Sequence, residues 1–205
     1  MRQATSKVRC EKVVLIGEAS SGKTSLVNRF IHDKFNTNSE ATIGAAFLNK
    51  TLKINDQEIK LEIWDTGGSE KYRSLAPLYF RDARAAIVVF DVTNKNSFTS
   101  AADWINEFRE KGQANAIVVA AANKCDLEEE RKVNKEEAVD FSFQYGLEFI
   151  KDTSALNGTN VRELFEDLAK QLLLLEPQNT EDKADNVADI AAPPPPPPAK
   201  SGCDC

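Results

Sequence analysis

The sequence predicts an α/β domain of three layers, in which helices cover both faces of a six-stranded, mostly parallel sheet. Six strand-like runs alternate along the chain with four segments of helical spacing. Several runs, such as residues 85–90 and 116–120, are continuously apolar, which is typical of parallel strands buried on both faces. Two consecutive runs instead alternate apolar and polar residues, as expected of one antiparallel edge strand and its neighbour.

The elements follow in order from these patterns. Residues 45–54 and 58–65 flank a turn-favouring Asn-Asp pair and are expected to form the antiparallel hairpin. Asn134 and Asn160 are the candidate N-caps of the last two helices, because a glutamate follows each by three residues. The expected strands are 12–17, 45–54, 58–65, 85–91, 116–123 and 147–152, and the expected helices are 23–33, 97–111, 135–145 and 161–175.

The chain divides into a folded part and two flanks. We expect a flexible N-terminus at residues 1–11, one domain at residues 12–175 and a disordered proline-rich tail at residues 176–205. The tail contains six consecutive prolines at 193–198, which favour a stiff polyproline II spacer; a proline-recognition site is the alternative.

Composition excludes several function classes. No apolar run approaches the roughly 20 residues of a membrane span, and residues 1–7 lack the apolar centre of a secretory signal, so a cytosolic domain is expected. The net charge of −6 argues against nucleic-acid binding. The four cysteines form no C-x-x-C pair and there is one histidine, so a zinc site, a disulfide framework or a histidine triad is not expected.

A glycine-bounded segment directly follows the first apolar run. Residues 17–24 read GEASSGKT, which has the spacing G-x-x-x-x-G-K-[ST] between a strand and a helix start. In such a segment the backbone N–H groups can surround phosphate oxygens, Lys23 can reach the terminal phosphates and the Thr24 hydroxyl can bind Mg²⁺. A chance glycine-rich turn is the alternative, but the apolar strand before it and the helical spacing after it favour a nucleotide-binding loop.

Two further motifs stand at strand ends. Asp65 opens the sequence DTGG, in which an aspartate can hold Mg²⁺ through water and a glycine N–H can meet a γ-phosphate; alone, it would suggest only a turn. Residues 123–126 read NKCD after the fifth strand, and the Asp126 carboxylate can accept both hydrogen-bond donors of guanine, a pair that adenine lacks. A polar loop with a helix cap is the alternative for this second motif.

Together these motifs resemble the Ras-like small GTPases. GEASSGKT, ATIG at residues 41–44, WDTGGSE at 64–70, NKCD and TSA at 153–155 stand in the order of that family, across roughly residues 12–175. The tryptophan before Asp65 and the Cys-Asp-Cys ending resemble the Rab branch, and residues 44–48 and 74–79 are similar to the early-endosomal Rabs. The resemblance implies a P-loop GTPase domain that takes GTP or GDP and Mg²⁺.

On the base side, the resemblance implies that Phe35 stacks on guanine, Asn123 contacts the ring edge, Lys124 packs over the base and the Ala155 N–H meets the guanine oxygen. The full set of nucleotide-binding residues implied is Gly17, Glu18, Ala19, Ser20, Ser21, Gly22, Lys23, Thr24, Ser25, Phe35, Thr42, Asp65, Gly68, Asn123, Lys124, Asp126, Ser154 and Ala155.

On the phosphate side, it implies that Thr24, Thr42 and Asp65 serve the metal and that Gly68 contacts the γ-phosphate. Hydrolysis would then release the two flanking segments, which are the switches. The candidate catalytic residues are Ser69, Lys23, Thr42 and Gly68.

An aromatic triad and a set of partners also follow from the resemblance. Phe47, Trp64 and Tyr79 match the residues through which Rabs contact effectors, whereas packing in the core is the alternative for aromatic residues at strand ends. The implied partners are effectors, an exchange factor, an activating protein, a GDP dissociation inhibitor and a prenylation escort. A monomer is expected, on the cytoplasmic face of early endosomes with a cytosolic pool.

Four positions depart from the family pattern, and two of them, Ser69 and Gly67, bear on the chemistry; Ser21, where valine is frequent, and Leu156, where lysine is frequent, are minor departures. Ser69 stands where the family usually carries the glutamine that orients the attacking water, and serine is too short to replace that amide directly. Slow intrinsic hydrolysis is therefore expected, although Rab activating proteins commonly insert a glutamine and an arginine. Gly67 stands where alanine is usual, and the added backbone freedom predicts a higher entropic cost of ordering the second switch and lower effector affinity.

The C-terminus matches the Rab-type Cys-x-Cys ending. Cys203 and Cys205 are the expected sites of two geranylgeranyl groups, and two chains make a stable anchor where one would be marginal. Two idle thiols are the alternative. The acidic tail has no basic cluster to add electrostatic attraction to anionic lipids.

The leading hypothesis is a Rab-like GTP/GDP switch that recruits effectors to an endocytic membrane and hydrolyses GTP slowly. A nearly non-hydrolysing GTP-binding recruitment module is the alternative that Ser69 supports. An adenine-nucleotide kinase or ATPase is disfavoured by the NKCD segment.

Overall fold

Six strands form one sheet, described by a computed structural model for residues 8–37 and 40–177. The strands are β1 (Arg9–Ile16), β2 (Ala45–Ile54), β3 (Gln57–Thr66), β4 (Ala85–Asp91), β5 (Ile117–Asn123) and β6 (Ile150–Thr153). Their spatial order is β2-β3-β1-β4-β5-β6, and only β2 and β3 pair antiparallel. The predicted fold class, six strands with one antiparallel edge hairpin, is confirmed.

Helices cover both faces of the sheet. They are α1 (Lys23–His32), α2 (Glu70–Arg73), α3 (Ala76–Phe80), α4 (Lys95–Lys111), α5 (Lys135–Gln144) and α6 (Val161–Leu174), with a 3₁₀ turn at Glu128–Glu130. The sequence patterns predicted four of them, but not α2, α3 or the turn, which are too short to show a repeating apolar face. Among the described residues, none of the helices combines the length and apolarity needed to span a bilayer.

Two apolar layers enclose the sheet. Val13 and Leu15 of β1 face the layer under α1 and α6, whereas Val14 and Ile16 face the layer under α3, α4 and α5. All four side chains are fully buried, as the alternation of side chains along a strand covered on both faces requires. The rings of Phe30 in α1 and Phe165 in α6 stack at 3.9 Å between centroids.

Strand register brings the functional segments to one edge. Asp91, Asn123 and Thr153 stand level at the carboxyl ends of β4, β5 and β6. On the other side of the sheet, Asp65 pairs with Leu15, just before the glycine-bounded loop. Because ligands of such sheets bind at the carboxyl ends of the strands, this edge is where a site is expected.

The ends of several elements differ from the sequence predictions. Strand β1 begins at Arg9 rather than at residue 12, so residues 9–11 of the segment expected to be flexible belong to the sheet. Arg9 is fixed there because its Nη1 donates to the Leu173 and Leu175 carbonyls at the end of α6. One compact unit ends at Leu175.

The two proposed asparagine caps behave differently. The side chain of Asn134 accepts a hydrogen bond of 2.7 Å from the Glu137 N–H and caps α5 as predicted. Asn160 precedes α6, but the prediction of a side-chain cap was wrong: its φ is 52°, and its Nδ2 donates to the Asp152 carbonyl at 2.8 Å instead. A left-handed backbone is not the extended one that a capping residue typically adopts.

Helix α4 also begins earlier than predicted, at Lys95 rather than residue 97. The Asn94 side chain accepts hydrogen bonds from the N–H groups of Asn96 and Ser97, so Asn94 is the N-cap. Polar residues at 94–97 obscured this start, because they add nothing to an apolar stripe.

Candidate nucleotide-binding site

A cavity of about 510 Å³ lies at the carboxyl edge of the sheet. It is bordered by the glycine-bounded loop, the start of α1 and the segments that follow β3, β5 and β6. Of the residues predicted to bind nucleotide, the cavity is lined by Ala19, Ser20, Gly22, Lys23, Thr24, Ser25, Phe35, Thr42, Gly68, Asn123, Lys124, Asp126 and Ala155.

The other predicted residues stand outside the lining. They are Gly17, Glu18, Ser21, Asp65 and Ser154. Ser21 and Ser154 are fully buried and Asp65 is 1% exposed, so all three support the lining from behind.

The glycine-bounded loop packs closely against the sheet. Gly17 has φ 135°, and a Cβ there would lie 2.2 Å from the Val89 carbonyl oxygen, so only glycine fits. Ser20 also has a positive φ, 63°. Successive backbone groups in such mixed conformations form a concave nest of N–H groups, which is a known kind of anion site.

Lys23 holds the loop together. Its Nζ donates to the carbonyls of Gly17 at 2.8 Å and Glu18 at 2.7 Å, and the side chain is buried. Burial lowers the pKa of Lys23 to about 8, although the charges of Asp65 and Glu18 oppose that shift. A bound phosphate would add an anion beside this buried cation and favour its charged form.

Two hydroxyls and one carboxylate meet beside Lys23. Thr24 Oγ1 donates to Asp65 Oδ2 at 2.6 Å and lies 2.7 Å from Thr42 Oγ1. Burial raises the pKa of Asp65, against the opposing effects of the Thr24 hydrogen bond and the Lys23 charge.

This cluster fits a hard cation. Asp65 Oδ1 is buried and has no hydrogen-bond partner within the described part of the chain. A buried carboxylate oxygen left unpaired beside two hydroxyls is the donor set that Mg²⁺ accepts when phosphate oxygens and water complete its shell. The described ranges hold no group of three or more His, Cys, Asp or Glu side chains that could bind a metal, so this cluster has one carboxylate and depends on hydroxyls for its other protein ligands.

Gly68 lies directly against the loop. A Cβ on it would lie 2.4 Å from Lys23 Nζ and 2.5 Å from the Ala19 nitrogen. Any side chain at this position would therefore displace the groups predicted to hold the terminal phosphate. Ser69 follows it, lines the cavity and precedes α2.

On the opposite side, Asn123 joins three segments. Its Nδ2 donates to the Ser21 carbonyl at 2.9 Å, and its Oδ1 accepts from the Ala155 N–H at 3.3 Å. Its side chain therefore ties the loop after β6 to the phosphate loop. Asn123 is 1% exposed, so it braces the site more than it opens to the cavity.

Lys124 and Asp126 face the cavity from the same turn. Lys124 has φ 65°, and its Nζ lies 2.6 Å from Asp91 Oδ2. Phe35 borders the cavity from the segment after α1 and is half-buried. The structure thus brings the five predicted base-side residues around one space: Phe35, Asn123, Lys124, Asp126 and Ala155.

The aromatic triad is contiguous and partly exposed. The ring of Trp64 lies 5.3 Å from that of Phe47 and 5.5 Å from that of Tyr79. Phe47 is 49% exposed, and Ile43 and Leu78 nearby in sequence are more exposed still. Trp64 and Tyr79 are partly buried and pack against the apolar layer under α3, α4 and α5, so Phe47 is the most exposed of the three rings. Cys203 and Cys205 lie outside the described residues.

Sequence reasoning missed several residues at the site. The cavity is also lined by Asn36, Thr37, Glu40, Ala41, Thr66, Leu127 and Leu156. Most are neighbours of motif residues, and that adjacency was the available signal. Ser100 was also missed: its Oγ donates to Glu18 Oε1 at 2.9 Å across 82 positions of sequence, a contact that only the fold reveals.

Comparisons with known proteins agree with this geometry. The Ras family model matches residues 12–174. Ras-related protein RABF2b of Arabidopsis thaliana is 47% identical over 177 residues, which are 86% of this chain and 88% of that relative. Ras-related protein Rab5A of Oryza sativa subsp. japonica is 48% identical over 82% of each chain, and RHN1 of Nicotiana plumbaginifolia is 46% identical over 81% of this chain and 82% of its own. A cavity lined by the predicted nucleotide-binding residues in this fold, together with matches of this extent, means that the chain belongs to the Ras family, in its early-endosomal Rab branch.

Proposed function

We propose that this GTPase is a switch in endosomal membrane traffic, with GTP held across the cavity between Lys23 and Asp126. The observation that carries the proposal is that a phosphate loop and a guanine-type NKCD turn border the same cavity. As a member of the Ras family, the chain binds guanine nucleotide and hydrolyses GTP. The residue roles below are the proposal.

The phosphate end is built for a triphosphate with Mg²⁺. Thr24, Thr42 and Asp65 would hold the metal, which when bound supplies positive charge to the phosphate oxygens. The Lys23 ammonium would leave the Gly17 and Glu18 carbonyls to bind the β- and γ-phosphates. The Gly68 N–H would bind the γ-phosphate. Loss of the γ-phosphate on hydrolysis would release both switch segments.

The base end is built for guanine. The Asp126 carboxylate would accept the two donors of the guanine edge, Phe35 and Lys124 would cover the ring faces, and the Ala155 N–H would bind its oxygen. Asn123 holds Ala155 and the phosphate loop in place. Guanine would gain two hydrogen bonds to this carboxylate. Adenine would leave the carboxylate unpaired, and the cost of that unpaired charge would add to the selectivity.

Hydrolysis is proposed to be slow without a partner. Ser69 lines the cavity where a water would attack, but its hydroxyl has a short reach. An activating protein that brings its own amide and cation would restore turnover. The nearly non-hydrolysing recruitment module is the second candidate, and saturating activating protein separates the two because only the switch would then turn over.

Recruitment and membrane attachment complete the proposal. The partly exposed triad of Phe47, Trp64 and Tyr79 would contact effectors in the GTP state, and Cys203 and Cys205 would carry two prenyl groups that anchor the protein to early endosomes. Exchange factor, activating protein, GDP dissociation inhibitor and prenylation escort are the regulators that this cycle requires.

Base selectivity is the sharpest test. GTP, GDP and ATP affinities of the full chain are measured by calorimetry, for the protein and for Asp126→Ala. We expect GTP to bind at least about 100-fold more tightly than ATP, and the variant to lose most of that preference because hydrogen bonds to a charged group are removed. Equal affinity for ATP, or an unchanged preference in Asp126→Ala, would overturn the assignment.

A further inference from the structure

Arg29 contacts two separate segments of the proposed guanine site from outside the cavity. Its Nε donates to the Ala155 carbonyl at 2.9 Å, and its Nη2 donates to the Leu156 carbonyl at 2.7 Å. Its Nη1 donates to the Asp33 carbonyl at 3.0 Å, directly after the end of α1. Arg29 itself belongs to α1 and is not among the residues that line the cavity. One guanidinium therefore links the end of α1 to a loop 126 positions further along the chain.

The two carbonyls that follow the Ala155 N–H are held by one edge of the guanidinium. Nε and Nη2 are the donors of that edge, and their fixed spacing favours one orientation of the loop. The Ala155 N–H donates to Asn123 Oδ1 at 3.3 Å. Because peptide units are planar, holding these groups leaves the backbone of Ala155 little freedom to rotate. Ala155 is 4% exposed, and its N–H is the group proposed to bind the guanine oxygen.

The contact with Asp33 concerns the segment that carries Phe35. Asp33 ends α1 in a left-handed conformation, with φ 53°, and Phe35 borders the cavity two residues further on. Fixing the Asp33 carbonyl therefore fixes the direction in which the chain leaves α1 towards the Phe35 ring. The Asp33 carboxylate also accepts from Nη1 at 3.1 Å, but that side chain is 94% exposed, so the ion pair adds little to the backbone contact.

We propose that Arg29 is a positioning residue for the guanine base: its guanidinium holds the Ala155 N–H and the Phe35 segment in place, so that the guanine oxygen and the ring face meet groups that are already aligned. The inference rests on the proposed binding of guanine by Ala155 and Phe35. Arg29 does not line the cavity, so it acts through these two segments. Its loss should weaken the contacts with the base and leave the phosphate and Mg²⁺ end unchanged.

The first test measures the release of GDP labelled on its ribose from the full chain in excess Mg²⁺. Arg29→Ala should release it about tenfold faster than the parent, because hydrogen bonds from a charged donor to three carbonyls are lost. Arg29→Lys keeps the charge but donates from a single nitrogen, so its release should be several-fold faster than that of the parent. Arg162→Ala is the matched control and should release GDP at the parent rate, because the Arg162 side chain is 80% exposed and pairs with Glu166 on α6. The Mg²⁺ concentration that half-maximally slows release should be the same in all four proteins.

A nucleotide with sulfur in place of the guanine oxygen separates positioning from a general loss of stability. Sulfur accepts hydrogen bonds more weakly than oxygen, so the parent should release labelled 6-thio-GDP several-fold faster than labelled GDP. In Arg29→Ala the two rates should lie within about twofold of each other, because the Ala155 N–H is no longer aligned. A general destabilisation would speed both releases and leave their ratio as in the parent. An Arg29→Ala protein that releases GDP at the parent rate, or that keeps the parent ratio of the two nucleotides, would overturn the inference.

Amide hydrogen exchange of the GDP-bound protein distinguishes a failure of this inference from a failure of the proposed function. Exchange should be several-fold faster in Arg29→Ala at residues 33–36 and 154–158, and unchanged at residues 17–24. Equal release of the two nucleotides from the parent would show that Ala155 does not bind the guanine oxygen, which is a failure of the proposed function. In that case, faster exchange in both segments together with faster GDP release from Arg29→Ala would still support the role of Arg29, whereas unchanged exchange in both segments would refute it.

Discussion

The Thr24 hydroxyl and the Asp65 carboxylate, 41 positions apart in sequence, share a hydrogen bond of 2.6 Å that links the start of α1 to the end of β3. The second oxygen of that carboxylate, Oδ1, is buried without a partner in the described ranges. A charge held in this way is costly when nothing cationic binds it, and it becomes useful when Mg²⁺ does. Removing the charge of Asp65 should therefore raise the stability of the metal-free protein and weaken its Mg²⁺ binding.

Asp65→Asn should stabilise the nucleotide-free, metal-free protein while weakening Mg²⁺-dependent nucleotide retention. The pKa of Asp65 is raised by burial, so the stability contributed by its protonated form is present below about pH 4 and is lost as pH rises through the raised value. At pH 7 the uncharged amide should raise the free energy of unfolding by about 1 kcal/mol. Thermal unfolding of stripped protein between pH 5 and 8 measures this.

Asp33→Asn is the matched control, since the Asp33 side chain is 94% exposed. It should leave both the melting temperature and nucleotide retention unchanged. An Asp65→Asn protein that melts below the parent at every pH would contradict the prediction.

Nucleotide affinity should fall with pH above about 8. The nucleotide-free protein holds Lys23 with a pKa of about 8, below the ordinary 10.5, and a bound phosphate favours the charged ammonium. At a pH between about 8 and the higher pKa of Lys23 in the nucleotide-bound protein, nucleotide binding must take up a proton, so affinity falls by up to about tenfold per pH unit. The stability of the nucleotide-free protein shows the opposite trend. In this pH range the unfolded chain binds more protons than the folded chain, so the free energy of unfolding increases as pH rises.

Calorimetry at pH 8.5 in two buffers with different ionisation enthalpies measures this proton uptake for GDP binding. Lys23→Arg supplies the control, because a guanidinium stays charged and should show no uptake even where its affinity is lower. Equal heats in the two buffers for the parent protein would show that Lys23 is already charged before nucleotide binds.

Ser69→Gln should raise single-turnover GTP hydrolysis in the absence of any partner. The longer amide can both donate to and accept from the attacking water, a positioning effect that small GTPases with the glutamine convert into rates on the order of 10⁻⁴ to 10⁻³ per second. We expect an increase of about tenfold or more in γ-phosphate release. Ser69→Ala is the control and should match the parent, since the hydroxyl is not expected to orient water. Parent and Ser69→Gln proteins with equal rates would refute the slow-hydrolysis proposal.

The fold and the segments that line the cavity could be predicted from the sequence because both depend on local patterns. Continuous apolar runs such as β4 predicted the sheet, and each motif supplied its own short segment of the cavity wall. Contacts made across the sheet could not be read in this way. The Ser100–Glu18 hydrogen bond and the close approach of Gly67 to the Thr42 carbonyl depend on the packing distance between segments that are far apart in sequence, to within an ångström.

Sequence patterns also could not distinguish Asn134 from Asn160, both of which were predicted to be N-caps. Their different geometry in the structure leads to a stability prediction. Asn134 caps α5 by accepting from the Glu137 N–H, so Asn134→Ala should lower the free energy of unfolding by about 1 kcal/mol. Asn160 has a left-handed backbone and no side-chain cap, so Asn160→Gly removes one hydrogen bond to Asp152 while relieving the strained φ. Its net effect should be within about 0.5 kcal/mol. Urea unfolding of the GDP-bound protein compares the two, and an Asn160→Gly loss as large as that of Asn134→Ala would mean that Asn160 does cap α6 in solution.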